Sequence, residues 1–151
     1  MLVAMAKPVL SDAIQDYLKE IYKLGVSGDR VTVTALSRAV GVSAPSASTM
    51  LKKLAALGQL EHQPYRGVRL TPAGEKVALE VIRHHRLLEL YLAETLGVHV
   101  DDVHDEADRL EHHLSEELEA RIDEALGFPT HDPHGDPIPD KNLRWPARPR
   151  A

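Results

Sequence analysis

The sequence contains no cysteine, and aromatic residues make up only 4% of it. The absence of cysteine excludes disulfides, thiolate metal sites and thiol chemistry, and it agrees with a reducing compartment. Because aromatic side chains are scarce, a core must come from the aliphatic part of the 43% hydrophobic share. The N-terminal stretch "MLVAMAKPVLSDAIQ" lacks the long apolar run of a membrane span and the pattern of an export signal. We therefore expect a cytoplasmic protein.

The net charge of −5 is distributed unevenly along the 151 residues. Residues 1–74 carry nine basic and five acidic side chains, a local charge of +4. Residues 75–151 carry nine basic and eighteen acidic side chains, a local charge of −9. A basic front half and an acidic back half indicate two parts with different partners.

Helical periodicity and turn signals predict three helices and a hairpin in the basic half. The first helix is "SDAIQDYLKEIYKLG", with Ser11 or Asp12 as its N-cap and Gly25 at its end. A short helix capped by Thr34 and ended by Gly41 follows, and then a third capped by Ser43, with Pro45 in its first turn. The stretch "QLEHQPYRGVRLT" predicts a β-hairpin.

The acidic half predicts two long helices and a tail. One helix is expected from Pro72 to Leu96 and another from Asp101 to about Leu126. Six of the ten prolines come after Phe128 and predict an extended segment there. The expected organisation is a DNA-binding domain over 1–74, a helical domain over 75–128 and a proline-rich tail over 129–151.

The order helix, helix, glycine turn, helix, hairpin is typical of a winged helix-turn-helix, in a mainly α chain. Small hydroxyl side chains and lysines share the outer side of the third helix, opposite its apolar face, as a recognition helix requires. Such short side chains favour a readout that depends on methyl contacts and DNA shape. An amphipathic helix with a solvated face is the alternative. The candidate DNA-contacting residues are Ser43, Pro45, Ser46, Ser48, Thr49, Lys52, Lys53 and Arg66.

The stretch "HDEADRLEHH", residues 104–113, combines three histidines with four carboxylates. If Val103, Ala107, Leu110, Leu114 and Leu118 form the core stripe of one helix, the candidate ligands flank that stripe, where unpaired charge is costly. In the preceding helix, two more candidate metal ligands, His85 and Glu89, stand one turn apart. Oxygen and nitrogen donors without sulfur favour manganese, iron or zinc. The candidate ligands are His85, Glu89, His104, Asp108, Glu111 and His112.

Each of these residues also has a simpler interpretation. Asp108 and Glu111 can pair with Arg86 or Arg109, and single histidines in helices are most often surface residues or hydrogen-bonded core residues. We expect one of these two simple roles, and not metal binding, for His84, His99, His113, His131 and His134. Two other functions remain open at this point. One is a winged-helix regulator that senses a small organic ligand without metal. The other is a metalloenzyme, which the absence of H-E-x-x-H and of paired Glu-x-x-His motifs disfavours.

From Asp12 to Pro139, the sequence resembles the metal-dependent transcriptional repressors of the diphtheria-toxin-repressor family, which includes iron and manganese regulators. The segments that carry the resemblance are "DYLKEIY", "GVSAPSAS", "YRGVRLTPAGE", "RHHRLLE", "VHDEADRLEHHLS" and "PHGDPIP". The resemblance implies two metal positions. The regulatory position takes Asp16 from the first helix together with Asp108, Glu111 and His112. The second position takes His85, Glu89 and His104.

The resemblance also implies the metal and the mode of action. Acids at Asp16 and Asp108 follow the manganese type of the family, so Mn²⁺ is expected, with Fe²⁺ as the alternative; Lys19 departs from the compact manganese type. Many members carry a C-terminal SH3-like domain; because the sequence stops at Ala151, we expect either that this domain is absent or that the sequence is truncated. The family pattern implies a homodimer on near-palindromic double-stranded DNA, with metal as corepressor controlling metal-homeostasis genes and no enzymatic activity. Apolar surface at Leu87, Leu90, Leu114 and Leu118 is expected to serve the dimer.

Overall fold

The computed structural model describes residues 10–147. The chain divides into two compact units, Met1–Glu75 and Lys76–Ala151. Within the described residues, no helix is both long and apolar enough to cross a membrane. Residues 1–9, which make up most of the stretch "MLVAMAKPVLSDAIQ", lie outside the described residues. The same holds for residues 148–151, the end of the predicted tail.

The described part of the first unit, from residue 10 onward, has three helices and a two-stranded antiparallel hairpin. The elements are α1 (Asp12–Leu24), α2 (Val33–Val40), α3 (Ala44–Ala56), β1 (Leu60–Gln63) and β2 (Gly67–Leu70). A single antiparallel bridge joins Val31 to Val68 on the edge of β2 that faces away from β1. Gly67 is required there, because its φ is +95° and a Cβ would lie 2.3 Å from the carbonyl oxygen of Val31. This is the expected winged helix-turn-helix order.

Local capping explains where these helices begin. Hydroxyls of Ser11 and Ser43 accept backbone N–H groups at the starts of α1 and α3, as the sequence predicts. The start of α2 differs from the prediction, since Thr32 is its N-cap and Thr34 lies inside the helix. The core of the unit is aliphatic apart from Tyr17. Its most buried side chains are Leu18, Ile21, Leu36, Leu51, Leu54 and Val68.

Up to residue 147, the second unit contains three helices, α4 (Pro72–Glu94, which begins just before the unit), α5 (Val103–Leu110) and α6 (Glu116–Ala125). Its core joins side chains of all three helices and one residue beyond them. The members are Leu87, Leu88, Leu90, Ala107, Ile122 and Ile138.

The predicted single helix from Asp101 to Leu126 is wrong. Helix α5 ends at Leu110, and Ser115 takes an extended conformation and caps α6 by accepting the N–H of Leu118 at 3.1 Å. A serine followed by acidic residues is a helix-start signal, because its hydroxyl competes with the continuing helix. The break also ends the predicted core stripe, since Leu110 and Leu118 are 45% and 50% exposed.

Two further expectations about apolar residues need correction. Leu87 and Leu90 are 0% and 7% exposed in the core of the unit, so they are no spare surface for a dimer. The segment after Phe128 was expected to be extended, but Ile138 is 2% exposed and packs into the same core. Arg83 and Arg86 of α4 hold this segment, because their guanidinium groups donate to the main-chain carbonyls of Pro139 and Pro137, respectively.

Candidate metal centre

His85 stands at the centre of a group of candidate metal ligands in the second unit. Helix α4 presents His85 and Glu89 one turn apart, with Nε2 of His85 2.9 Å from Oε1 of Glu89. On its other side, Nδ1 of His85 lies 2.5 Å from Oε2 of Glu111, the residue that directly follows α5. One imidazole therefore lies between two carboxylates from different parts of the fold.

Helix α5 adds His104 and Asp108, again one turn apart. Nδ1 of His104 lies 3.2 Å from Nε2 of His85, and Oδ1 of Asp108 lies 3.2 Å from Nδ1 of His85. One donor atom each of His85, His104 and Asp108 lie within 4.8 Å of one another. These three side chains have the donors and the spacing to hold one metal ion.

The electrostatics of this group fit a cation. Glu89 and Glu111 are only 3% and 1% exposed, and buried carboxylates are costly without a compensating positive charge. Burial lowers the pKa of His85, but hydrogen bonds from its ring to Glu111 and Glu89 outweigh burial and raise the pKa to about 9. Burial likewise raises the pKa of Glu89, and the hydrogen bond from His85 outweighs that effect and lowers it.

A second group involves residues that sequence reasoning left out. Nδ1 of His134 lies 3.2 Å from Oε2 of Glu89, and Asp132 brings a donor atom within 4.8 Å of both. Asp132 is 6% exposed, and its Oδ2 has no hydrogen-bond partner among the described residues. Burial raises the pKa of this carboxyl. The sequence "DPHGD" contains both Asp132 and His134 and is the signal that could have indicated this group, but it lies in the segment predicted to be a proline-rich tail.

The two remaining predicted ligands, His112 and Asp16, belong to different units of the chain. His112 follows Glu111 directly, has a side chain only 5% exposed, and brings Nε2 to 3.5 Å from Oε1 of Glu111. Asp16 belongs to α1 in the first unit, where it is half-buried. Its role as a ligand stays a prediction from the resemblance.

The outer side of α3 is exposed, as a recognition helix requires. Pro45 and Thr49 stand one turn apart on it, and the hydroxyl of Thr49 donates to the carbonyl of Pro45 at 3.0 Å. The hydroxyl of Ser43 accepts the N–H of Ser46 and donates to its hydroxyl. Ser48 is half-buried beside the core face. The exposed candidates are Ser43, Pro45, Ser46, Thr49, Lys52, Lys53 and, at the hairpin turn, Arg66.

The first unit has the fold of a DNA-binding winged helix, and the second gathers metal-type donors from α4, α5 and the segments that follow α5 and α6. Comparison with known proteins gives the class. Residues 9–68 match the family model described as the iron-dependent repressor N-terminal DNA-binding domain. Residues 71–140 match the iron-dependent repressor metal-binding and dimerisation domain. The chain belongs to the iron-dependent repressor family of transcriptional regulators, as the resemblance predicted, and this is not a family of enzymes.

Several relatives carry descriptions of their own. The chain is 35% identical over 130 residues to the diphtheria toxin repressor of Corynebacterium efficiens, which covers 86% of this chain and 56% of that protein. It is 32% identical over 114 residues to an HTH-type transcriptional regulator of Methanocaldococcus jannaschii, covering 75% of this chain and 91% of that protein. The chain thus spans little more than half the length of the first of these relatives.

Solved structures agree with this placement. A manganese-dependent transcriptional repressor in complex with manganese is 47% identical, with a TM-score of 0.82, over 90% of this chain and 63% of that one. The IdeR structure from T. acidophilum is 30% identical with a TM-score of 0.73, over 99% of this chain and 66% of that one. The first of these two structures is manganese-dependent by its description.

Proposed function

We propose that this protein is a metal-dependent transcriptional repressor in which Mn²⁺, or alternatively Fe²⁺, acts as corepressor for genes of metal homeostasis. The observation that carries the proposal is the position of His85 between two buried carboxylates, beside His104 and Asp108. A donor set of oxygen and nitrogen without sulfur suits Mn²⁺ and Fe²⁺. The manganese complex among the similar structures favours Mn²⁺.

The proposed regulatory position takes Asp108, Glu111 and His112, with Asp16 from α1, as the resemblance implies, although a donor atom of Asp108 also lies within 4.8 Å of donor atoms of His85 and His104. The second position takes His85, Glu89 and His104, and the contact between Glu89 and His134 adds His134 and Asp132 as further candidates. Bound metal supplies positive charge to these carboxylates. In this proposal, Asp16 and the acids of the second unit repel one another when that charge is missing. The DNA-binding unit is then not held in a single orientation. Ligands from both units therefore make DNA binding depend on metal through a shift in population.

The proposed DNA contacts come from the exposed side of α3 and from the hairpin. Lys52, Lys53 and Arg66 are exposed and neutralise phosphates, while Pro45 and Thr49 face base edges in the major groove. The N-terminus of α3 adds a positive dipole end next to Ser43. The basic charge of residues 1–74 supports this assignment.

We propose a homodimer on a near-palindromic operator, because two recognition helices then reach successive major grooves. The family model names the second domain a dimerisation domain. Leu110 of α5 and Leu118 of α6 are large apolar residues that are about half exposed and are available for such a contact.

The test measures DNA binding with Mn²⁺ and with a chelator for the wild type and two variants. Asp108→Ala is expected to lose the metal stimulation while remaining a folded dimer. Thr49→Glu is expected to lose DNA binding in both conditions with Mn²⁺ affinity intact, because it places negative charge on the DNA-facing side of α3. Undiminished Mn²⁺ stimulation in Asp108→Ala contradicts the metal assignment, and strong binding by Thr49→Glu contradicts the DNA assignment.

A further inference from the structure

The break between α5 and α6 changes the hydrogen bonding of Glu111. In a continuous helix, the carbonyl oxygen of Glu111 would accept the N–H of the residue four positions later, Ser115. Ser115 instead has φ −72° and ψ 154° and starts α6. The carbonyl oxygen of Glu111 lies 3.1 Å from Nδ1 of His84 on α4, which donates to it. A side chain from a neighbouring helix thus replaces the helical donor.

The other ring nitrogen of His84 reaches α6. Nε2 of His84 lies 2.7 Å from Oε2 of Glu119, and the same carboxylate also accepts from Nε of Arg83. Arg83 donates further to Asp123 at 3.1 Å, so α4 holds α6 at two places. His84 therefore binds both sides of the helix break through its two nitrogens.

Consecutive residues of α4 bind two parts of Glu111. His84 holds its main-chain carbonyl, and His85 holds its side-chain carboxylate at 2.5 Å. We propose that His84 is a positioning residue for the metal centre, fixing the backbone from which the carboxylate of Glu111 reaches the metal ligands. His84 itself is not a ligand in this account. The inference rests on the proposed metal function, because Glu111 matters here as a metal ligand.

Three substitutions of His84 separate its two hydrogen bonds. In His84→Asn, the amide nitrogen stands near the place of Nδ1 and keeps a donor for the Glu111 carbonyl. In His84→Gln, the amide nitrogen stands near the place of Nε2 and keeps only the donor for Glu119. His84→Ala removes both donors.

The experiment measures Mn²⁺ affinity of the whole chain by calorimetric titration, with thermal unfolding in chelator as a check on the fold. Partners that orient metal ligands typically contribute 10–100-fold to metal affinity, so His84→Ala and His84→Gln are expected to weaken Mn²⁺ binding about tenfold. His84→Asn is expected to bind within about twofold of the wild type, as an intact carbonyl donor implies. Wild-type affinity in His84→Gln together with a loss in His84→Asn overturns the proposal, as does wild-type affinity in His84→Ala.

A double-mutant comparison identifies the route of the effect. In a Glu111→Gln background, His84→Ala is expected to cause little further loss of Mn²⁺ affinity, because the group it positions is already changed. A full additional loss in that background shows that His84 acts elsewhere and overturns the proposal. If the wild type itself binds no Mn²⁺, the proposed function fails, and the positioning role fails with it. If the wild type binds Mn²⁺ and the variants match it, only the positioning role fails.

Discussion

His85 and Glu111 are joined by a 2.5 Å hydrogen bond, and their side chains are only 9% and 0% exposed. The opposite nitrogen of His85 meets the carboxylate of Glu89 at 2.9 Å. Because carboxylates only accept, both ring nitrogens carry a proton, and the imidazole is the positive charge that these two buried acids need. A divalent ion bound by the same side chains supplies that charge in its place, so protons and metal compete for this centre.

The first prediction concerns the pH dependence of Mn²⁺ binding. The pKa of His85 is raised to about 9, above the ordinary value of 6.5, so the imidazole is protonated throughout pH 7–8 and must release a proton to become a ligand. Mn²⁺ affinity is therefore expected to increase with pH, by up to about tenfold per unit for one proton. Calorimetry in buffers of different ionisation enthalpy counts the protons released. An affinity independent of pH, with no proton released, contradicts the position of His85 in the site.

The second prediction concerns how α3 reads bases. The hydroxyl hydrogen of Thr49 is engaged by the carbonyl of Pro45, so these two residues offer DNA a methyl group and a proline ring. Such groups fit the 5-methyl group of thymine. Replacing operator thymines by uracil, which removes only that methyl, is expected to weaken binding about fourfold per contact, as burial of one methyl implies.

Thr49→Ser is the matched control for the uracil experiment, since it keeps the hydroxyl and removes the protein methyl. This variant is expected to bind the thymine operator more weakly and the uracil operator like the wild type. Equal affinity of the wild type for both operators, measured by competition at fixed salt, counts against methyl readout.

The third prediction concerns the segment after Phe128. Ile138 is 2% exposed in the core of the second unit, so Ile138→Ala is expected to lower the free energy of unfolding by about 2–5 kcal/mol. Phe128, which is 67% exposed, is the control, and Phe128→Ala is expected to change it by less than about 0.5 kcal/mol. Urea unfolding in chelator measures both. A similar small loss for both variants means that this segment is not packed on the helices.

Local signals account for what the sequence predicted well. In the first unit, Ser11 and Ser43 cap α1 and α3, and Gly67 lies where the hairpin approaches Val31, so short-range chemistry sets most of the elements. The pairs His85/Glu89 and His104/Asp108 came from helical spacing, which holds within one helix.

The features that the sequence did not predict depend on distant contacts or on competing local signals. Ser115 interrupts an apolar period that runs on across it, and the capping signal prevailed over the period. Ile138 is buried because α4, far away in sequence, offers it Leu87 and Leu88. His134 was not predicted as a candidate ligand because its partner Glu89 lies in another element. Periodicity carries no information about such pairings.

The central claim is that metal controls DNA binding, and selection from a random duplex library tests it most directly. Purified protein is incubated with the library in excess Mn²⁺, in Fe²⁺ under anaerobic conditions, and in chelator, and the recovered fragments are sequenced. The account predicts recovery of a near-palindromic sequence only with metal, and more strongly with Mn²⁺. Recovery of the same sequence in chelator at equal yield contradicts metal control and favours a regulator that senses another ligand.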